Sequence, residues 1–324
     1  MTGAHAKYRN HLPQLGGGFF LSDGGIETCL IFHEGWELPI GEAFVLMESE
    51  RGRNALRAYF ERYLPLAVER GAGFILESPT WRANPDWAAK IGYGRDKLAA
   101  INRASIDLMR EIRAKYETAR TPIVISGCIG PRGDGYDPGA LMSPAEAEDY
   151  HAWQAGVFTA AGADCVSAIT MTNINEAIGL ARAAKALNMP CVISFTLETD
   201  GRLPTGHRLG EAIEAVDAET GAGPAYYMIN CAHPTHFAGA LEDGAPWAKR
   251  LRGIRANASK RSHEELDNSP ELDIGDPGEL GADYAALLRR FPHINVLGGC
   301  CGTDHRHVAS IASACLDHAH EAAA

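Results

Sequence analysis

Cys231, Cys300 and Cys301 are the residues of this chain best equipped for chemistry. Near the C-terminal end, Val296-Leu297 runs into Gly298-Gly299-Cys300-Cys301-Gly302-Thr303, an apolar segment that delivers two adjacent thiols between glycines. Earlier, the apolar run Tyr226-Tyr227-Met228-Ile229-Asn230 ends in Cys231. Three thiolates are one ligand short of a tetrahedral zinc site. Four cysteines close such a site for structural use, whereas three with an open position suit catalysis, at Zn–S distances of ~2.3 Å. The open position has room for water or for a substrate sulfur. A zinc hydrolase needs a nearby base to use the water. Three thiolates also make zinc a poor Lewis acid for water, while metal coordination lowers a thiol pKa from ~8.5 and favours the thiolate. Alkylation of a zinc-held thiolate by an electrophilic methyl group is the better fit.

The global numbers agree with a small-molecule enzyme. The chain has 324 residues, 46% of them apolar, with 30 basic against 41 acidic side chains and a net charge of -11. That balance argues against a nucleic-acid or anionic-membrane surface. No stretch approaches the ~20 apolar residues that cross a bilayer, and Met1 to Gln14 lacks the apolar core of a signal peptide. The eight cysteines are scattered through apolar segments without framework spacing. A reducing, cytoplasmic compartment is therefore expected.

Eight β-rich runs must position these thiols: Phe19 to Ser22, Gly73 to Leu76, Ile123 to Ser126, Cys165 to Ile169, Cys191 to Phe195, Tyr226 to Ile229, Leu251 to Ile254, and Ile294 to Leu297. Helical periodicity fills the gaps, as in Asn54 to Glu69, Arg95 to Tyr116, Pro144 to Ala161 and Asn175 to Leu187. Such alternation implies parallel strands with right-handed crossovers. Eight units with no GxGxxG in the first favour a closed (β/α)8 TIM barrel over an open dinucleotide-binding sheet. The chain, 1–324, reads as one such domain with its core at about 18–318, and the alanine-rich tail after Asp317 is expected to fray. On a barrel the polar clusters after the strands share the C-terminal face, where active sites lie. The longer insertions, Arg132 to Ser143, Glu198 to Arg208 and Ser259 to Asp276, fall on that side too.

Several other residues on that face are candidates for binding substrate. Asp23 can meet a substrate amine or shape the Gly24-Gly25 bend as an Asx turn. Glu77, a carboxylate at the end of strand two, requires a partner there. Asn230 and Asn257 can hydrogen-bond substrate or orient the cysteines. Trp81 and Tyr136 can wall a methylated onium group by cation–π attraction, although ordinary packing also accounts for them. His233, His236, His305 and His307 follow the cysteine strands and read as caps or lining of the next helices more than as ligands. Gly298, Gly299 and Gly302 are expected to give the turn its freedom to aim both adjacent sulfurs inward.

The motifs Asp23-Gly24-Gly25, Gly130-Pro131, Asn230-Cys231 and Gly298-Gly299-Cys300-Cys301-Gly302 resemble those of the homocysteine S-methyltransferase family, over roughly residues 18 to 318. The resemblance implies zinc on Cys231, Cys300 and Cys301, with the acceptor thiol taking the fourth ligand position. No cobalamin or folate module is expected. Stand-alone chains of this length resemble users of S-methylmethionine, whereas betaine users carry a longer C-terminal extension. The expectation is a zinc-dependent transfer of methyl from a small onium donor to homocysteine, giving methionine, with no nucleic-acid or membrane partner.

Two departures bear on the substrate. Family members carry an acid at the end of strand four that binds the amino group of homocysteine, and here Ile169 stands in its place. The first motif continues Glu27-Thr28-Cys29-Leu30 where Thr-Glu-Leu is usual. An acceptor ammonium then needs another partner, for which Asp23 and Glu77 are candidates, or else the acceptor is a thiol without that group. A zinc-binding or redox-sensing protein without methyl transfer is the reading from another class, because adjacent thiols can oxidise and release metal.

Overall fold

A computed structural model of the chain describes residues 6–267, 269 and 271–317. Eight parallel strands close into a barrel in sequence order. They are β1 (Phe20–Leu21), β2 (Gly73–Glu77), β3 (Ile123–Ile129), β4 (Cys165–Met171), β5 (Cys191–Thr196), β6 (Tyr226–Asn230), β7 (Leu251–Ala256) and β8 (Val296–Gly299). The two-residue β1 closes the ring, with Phe20 in register with Gly73 of β2 and Val296 of β8. Both faces of each strand are covered, which is why the strands read as apolar runs.

Strand parity sorts the interior into two levels. Phe20, Ile75, Val124, Cys165, Val192, Met228 and Val296 point inward and pack with Leu12 and Tyr226 into an apolar plug. Alternate residues such as Leu21, Phe74, Leu76, Ile125 and Ile254 face the helices and join the larger outer core. Side chains alternate along a strand, so the next inward residue lies two positions further on. Those residues are Ser22, Glu77, Ser126, Ser167, Ser194 and Asn230, all buried. Ser126 and Ser167 hydroxyls meet at 2.7 Å, and Ser194 donates to Asn230 Oδ1 at 2.6 Å. The barrel is therefore apolar at its base and polar towards its C-terminal mouth.

The helices follow the sequence closely. Arg95–Tyr116 and Pro144–Ala161 occupy the expected spans, the latter opened by a Ser143–Glu146 capping box. The expected helix over Asn54 to Glu69 is instead two helices, Glu50–Phe60 and Leu64–Arg70. Pro65 sits in the first turn of the second, where its missing N–H costs nothing. Strand β4 also runs past its apolar segment and carries an irregularity between Ala168 and Met171. No helix among the described residues is long and apolar enough to cross a membrane. The tail expected to fray after Asp317 lies outside the described residues.

Candidate active site

The ends of β6 and β8 bring Cys231, Cys300 and Cys301 together, with all three sulfurs within 4.8 Å of one another. Cys231 and Cys300 sulfurs are in direct contact, their Cα atoms 5.4 Å apart, and Cys231 Sγ lies 4.0 Å from Cys301 Sγ. Backbone hydrogen bonds fix each cysteine. Cys231 N donates to Arg255 O, Cys300 N to Ala256 O, and Ala258 N to Cys301 O. Cys231 itself has φ 54°, a left-handed conformation that costs a non-glycine residue and must be held by its surroundings. Asn257 Nδ2 supplies one restraint, donating to Cys231 O at 3.0 Å.

The glycines around the pair act differently from the expectation. Only Gly302 has a positive φ, 77°, whereas Gly298 and Gly299 do not. These two are required by close approach: a Cβ on Gly298 would overlap Ser22 Oγ, and one on Gly299 would overlap Thr303 Oγ1. The turn is packed tightly, not loosened.

Arg255 of β7 organises the floor beside the cysteines. Its guanidinium pairs with Asp23 at 2.8 Å and with Glu77, and its Nε donates to Gly299 O at 3.0 Å, one residue from Cys300. Tyr59 also donates to Asp23, at 2.9 Å. Burial pushes the Asp23 and Glu77 carboxyls up, against the pull of Arg255. Burial likewise opposes the Arg255 charge, but the two carboxylates outweigh it and its pKa is raised. Asp23 and Glu77 thus both have a protein partner already. Asn230 is committed as well. Its Oδ1 accepts from Thr170 N at 2.9 Å and its Nδ2 donates to Thr170 Oγ1 at 2.8 Å. That clamp holds Thr170 at φ 66°, a rare state for a β-branched residue.

Above this floor lies a cavity of about 120 Å³. Asp23, Glu77, Trp81, Tyr136, Ile169 and the three cysteines line it, together with Glu27 and Arg255, whereas Asn230 and Asn257 sit behind the lining. The volume is well below the ~300–1,000 Å³ typical of sites for drug-sized ligands. Trp81 is fixed by a hydrogen bond from its Nε1 to Ile169 O at 3.1 Å. The Tyr136 hydroxyl approaches Cys301 Sγ at 3.5 Å, and its ring stacks on His263 at 4.0 Å. The insertions after β3 and β7 therefore meet over the cysteines. A small, mostly apolar chamber with three cysteine sulfurs at its floor, two of them paired as the Cys231–Cys300 disulfide, suits a compact sulfur substrate.

A family model described as homocysteine S-methyltransferase matches residues 20–315. The chain belongs to the homocysteine S-methyltransferase family. It is similar to a selenocysteine Se-methyltransferase of Brassica oleracea var. italica, at 24% identity over 323 residues covering 91% of this chain and 88% of that protein. Among solved structures it is similar to the Escherichia coli homocysteine methyltransferase MmuM in its oxidized form, with TM-score 0.72 and 21% identity over 93% of this chain and 97% of that one. The metallated form of the same enzyme gives TM-score 0.72 at 20% identity, covering 93% and 98%. Membership makes this chain a methyltransferase on a (β/α)8 barrel.

The residues present fit the zinc ion that this family implies. Two sulfurs bound tetrahedrally at ~2.3 Å from one ion stand about 3.8 Å apart. The 4.0 Å between Cys231 and Cys301 matches that span, and Cys300 must separate from Cys231 to join them. Three of the four histidines after the cysteine strands, His233, His236 and His307, have structural partners. His233 accepts from Thr235 N as a helix cap, and His307 Nε2 lies 2.8 Å from Ile274 O. The site residues expected from sequence include neither Arg255 nor Thr170. For Arg255 the available signal was parity, since it stands two residues beyond Gly253 on the inward face of β7.

Proposed function

We propose that this methyltransferase moves a methyl group from a small onium donor, S-methylmethionine in the first instance, to homocysteine, forming methionine. In this reading Cys231, Cys300 and Cys301 hold zinc. The observation that carries it is the convergence of three sulfurs within 4.8 Å at the floor of a small cavity. When bound there, zinc holds an acceptor sulfur as thiolate near neutral pH. The transfer breaks the methyl C–S bond of the sulfonium donor and forms a C–S bond to the acceptor sulfur. The electron pair of the broken bond stays on the donor sulfur, which leaves as a neutral thioether, and the thiol proton passes to solvent. No protein base is needed at the reacting carbon. Ile26, Phe60, Pro79, Trp81 and Ile169 restrict water around the sulfurs, and in this reading the onium charge meets the rings of Trp81 and Tyr136 on the sides not taken by Arg82 and His263. A reducing, cytoplasmic setting belongs to the proposal, because only separated thiolates can take the metal.

The presence of Ile169 in the cavity lining favours one second reading, in which the acceptor is a thiol other than homocysteine. Product analysis by mass spectrometry on reduced, zinc-assayed protein decides between them. Methionine formed from homocysteine in a zinc-dependent way supports the first reading. Zinc at one per chain with methylation of another thiol supports the second. Cys231→Ala is expected to lose zinc and turnover together while far-UV circular dichroism is unchanged; full activity in that variant would remove the assigned site.

A further inference from the structure

We propose that Glu27, in the short helical turn Ile26–Thr28 after β1, receives a positively charged group of the substrate in the cavity. The inference rests on the methyltransferase reading of that cavity and names the charge it selects. Three carboxylates line the chamber, on Asp23, Glu27 and Glu77, with one guanidinium, on Arg255. Asp23 and Glu77 share that guanidinium between them. Arg255 spends its remaining contacts on the carbonyls of Gly299 and Gly24, at 3.0 and 3.3 Å. Glu27 is left over. Among the described residues no Lys, Arg or His stands in an ion pair with it. Arg82 attracts it at longer range, but is itself paired with Glu42 and Asp134.

Burial makes this position costly for a charge. Desolvation pushes the Glu27 carboxyl up to about 7, with Asp23 adding to the rise and the backbone amides of Glu27 and Ala43 opposing it. A half-buried carboxylate in that state gains more from an incoming cation than a solvated one does. Ile169, which also lines the chamber, is apolar and adds no further carboxylate. An ammonium and a sulfonium present the same requirement, so the charge can belong to an amino-acid acceptor or to an onium donor.

Calorimetric titration of the full-length, reduced, zinc-loaded protein tests this without turnover. Three probes separate the sources: methionine carries an ammonium, trimethylsulfonium carries only the onium charge, and 4-(methylthio)butanoate carries no cation. Glu27→Gln is expected to weaken a cationic probe about ten- to a hundredfold and to leave 4-(methylthio)butanoate unchanged. Selective loss of methionine assigns the site to the acceptor's ammonium, and selective loss of trimethylsulfonium assigns it to the donor. Glu27→Asp, which keeps the charge, is expected to retain part of the affinity. Equal weakening of all three probes, unchanged binding of both cations, or failure of the wild type to bind either cation would overturn the proposal. Because binding is read directly, an absence of methyl transfer would count against the proposed reaction and not against this subsite.

Discussion

At the scale of single residues, the site is a contest over buried charge. Arg255 holds two carboxylates that burial would otherwise neutralise. Arg255→Met leaves both unpaired, and removing one partner of a buried pair costs about 3–5 kcal/mol. The loss in urea unfolding free energy should be largest at pH 8. It should shrink towards pH 5, where Asp23 and Glu77 can escape the cost by taking up protons. A pH-independent loss would mean that Arg255 acts through packing alone. Glu27 gives a complementary signature. Its folded pKa of about 7 lies above the ordinary 4.5, so the folded state binds the proton more tightly. Stability is therefore present below the lower value and lost as pH rises through the higher one. The charged groups that bear on it are Asp23, Glu42 and Arg82. Glu27→Gln, a neutral mimic, should exceed the wild type by on the order of 2 kcal/mol at pH 8 and match it at pH 4. Stabilisation equal at both pH values would sink that account.

At the scale of elements, the strand ends decide what the site can be. The eight apolar runs and the helices Arg95–Tyr116 and Pro144–Ala161 were legible because their periodicity and caps are local. The break before Leu64–Arg70 was also written in the chain, by Pro65, but a continuous apolar pattern masked it. The partnership of Arg255 with Asp23 and Glu77 was not legible, because its members come from β7, the end of β1 and β2. Only closure of the ring brings them together. Candidate ligands were easier, since a vicinal cysteine pair between glycines is a dense local signal. Gly298 and Gly299 answer a lack of space and not a need for conformational freedom. Gly298→Ala should therefore destabilise the protein by about 1–3 kcal/mol through overpacking. Adding Ser22→Gly, which removes the opposing hydroxyl, should recover most of that loss in thermal unfolding. No recovery in the double variant would show that the Asp23 carbonyl, 2.9 Å from the same position, sets the limit.

At the scale of the whole molecule, the barrel carries its stability in the plug and the outer core, away from the sulfurs. Removal of zinc by a chelator is expected to lower Tm, since a ligand of the native state stabilises it by mass action. Far-UV circular dichroism should stay unchanged. Loss of secondary structure on chelation would instead make the metal part of the fold, as in small zinc domains. The cavity lining also divides along the chain. Apart from the three clustered cysteines and Arg255, the cavity lining, from Asp23 and Glu27 to Tyr136, Ile169 and Thr170, precedes the midpoint of the barrel. The three clustered cysteine sulfurs and Arg255 all follow it. A first half-barrel inherited from a relative with other tastes would bring its own acceptor preference to the same sulfurs. In such an architecture, specificity can drift through one half of the gene while the chemistry is inherited intact in the other.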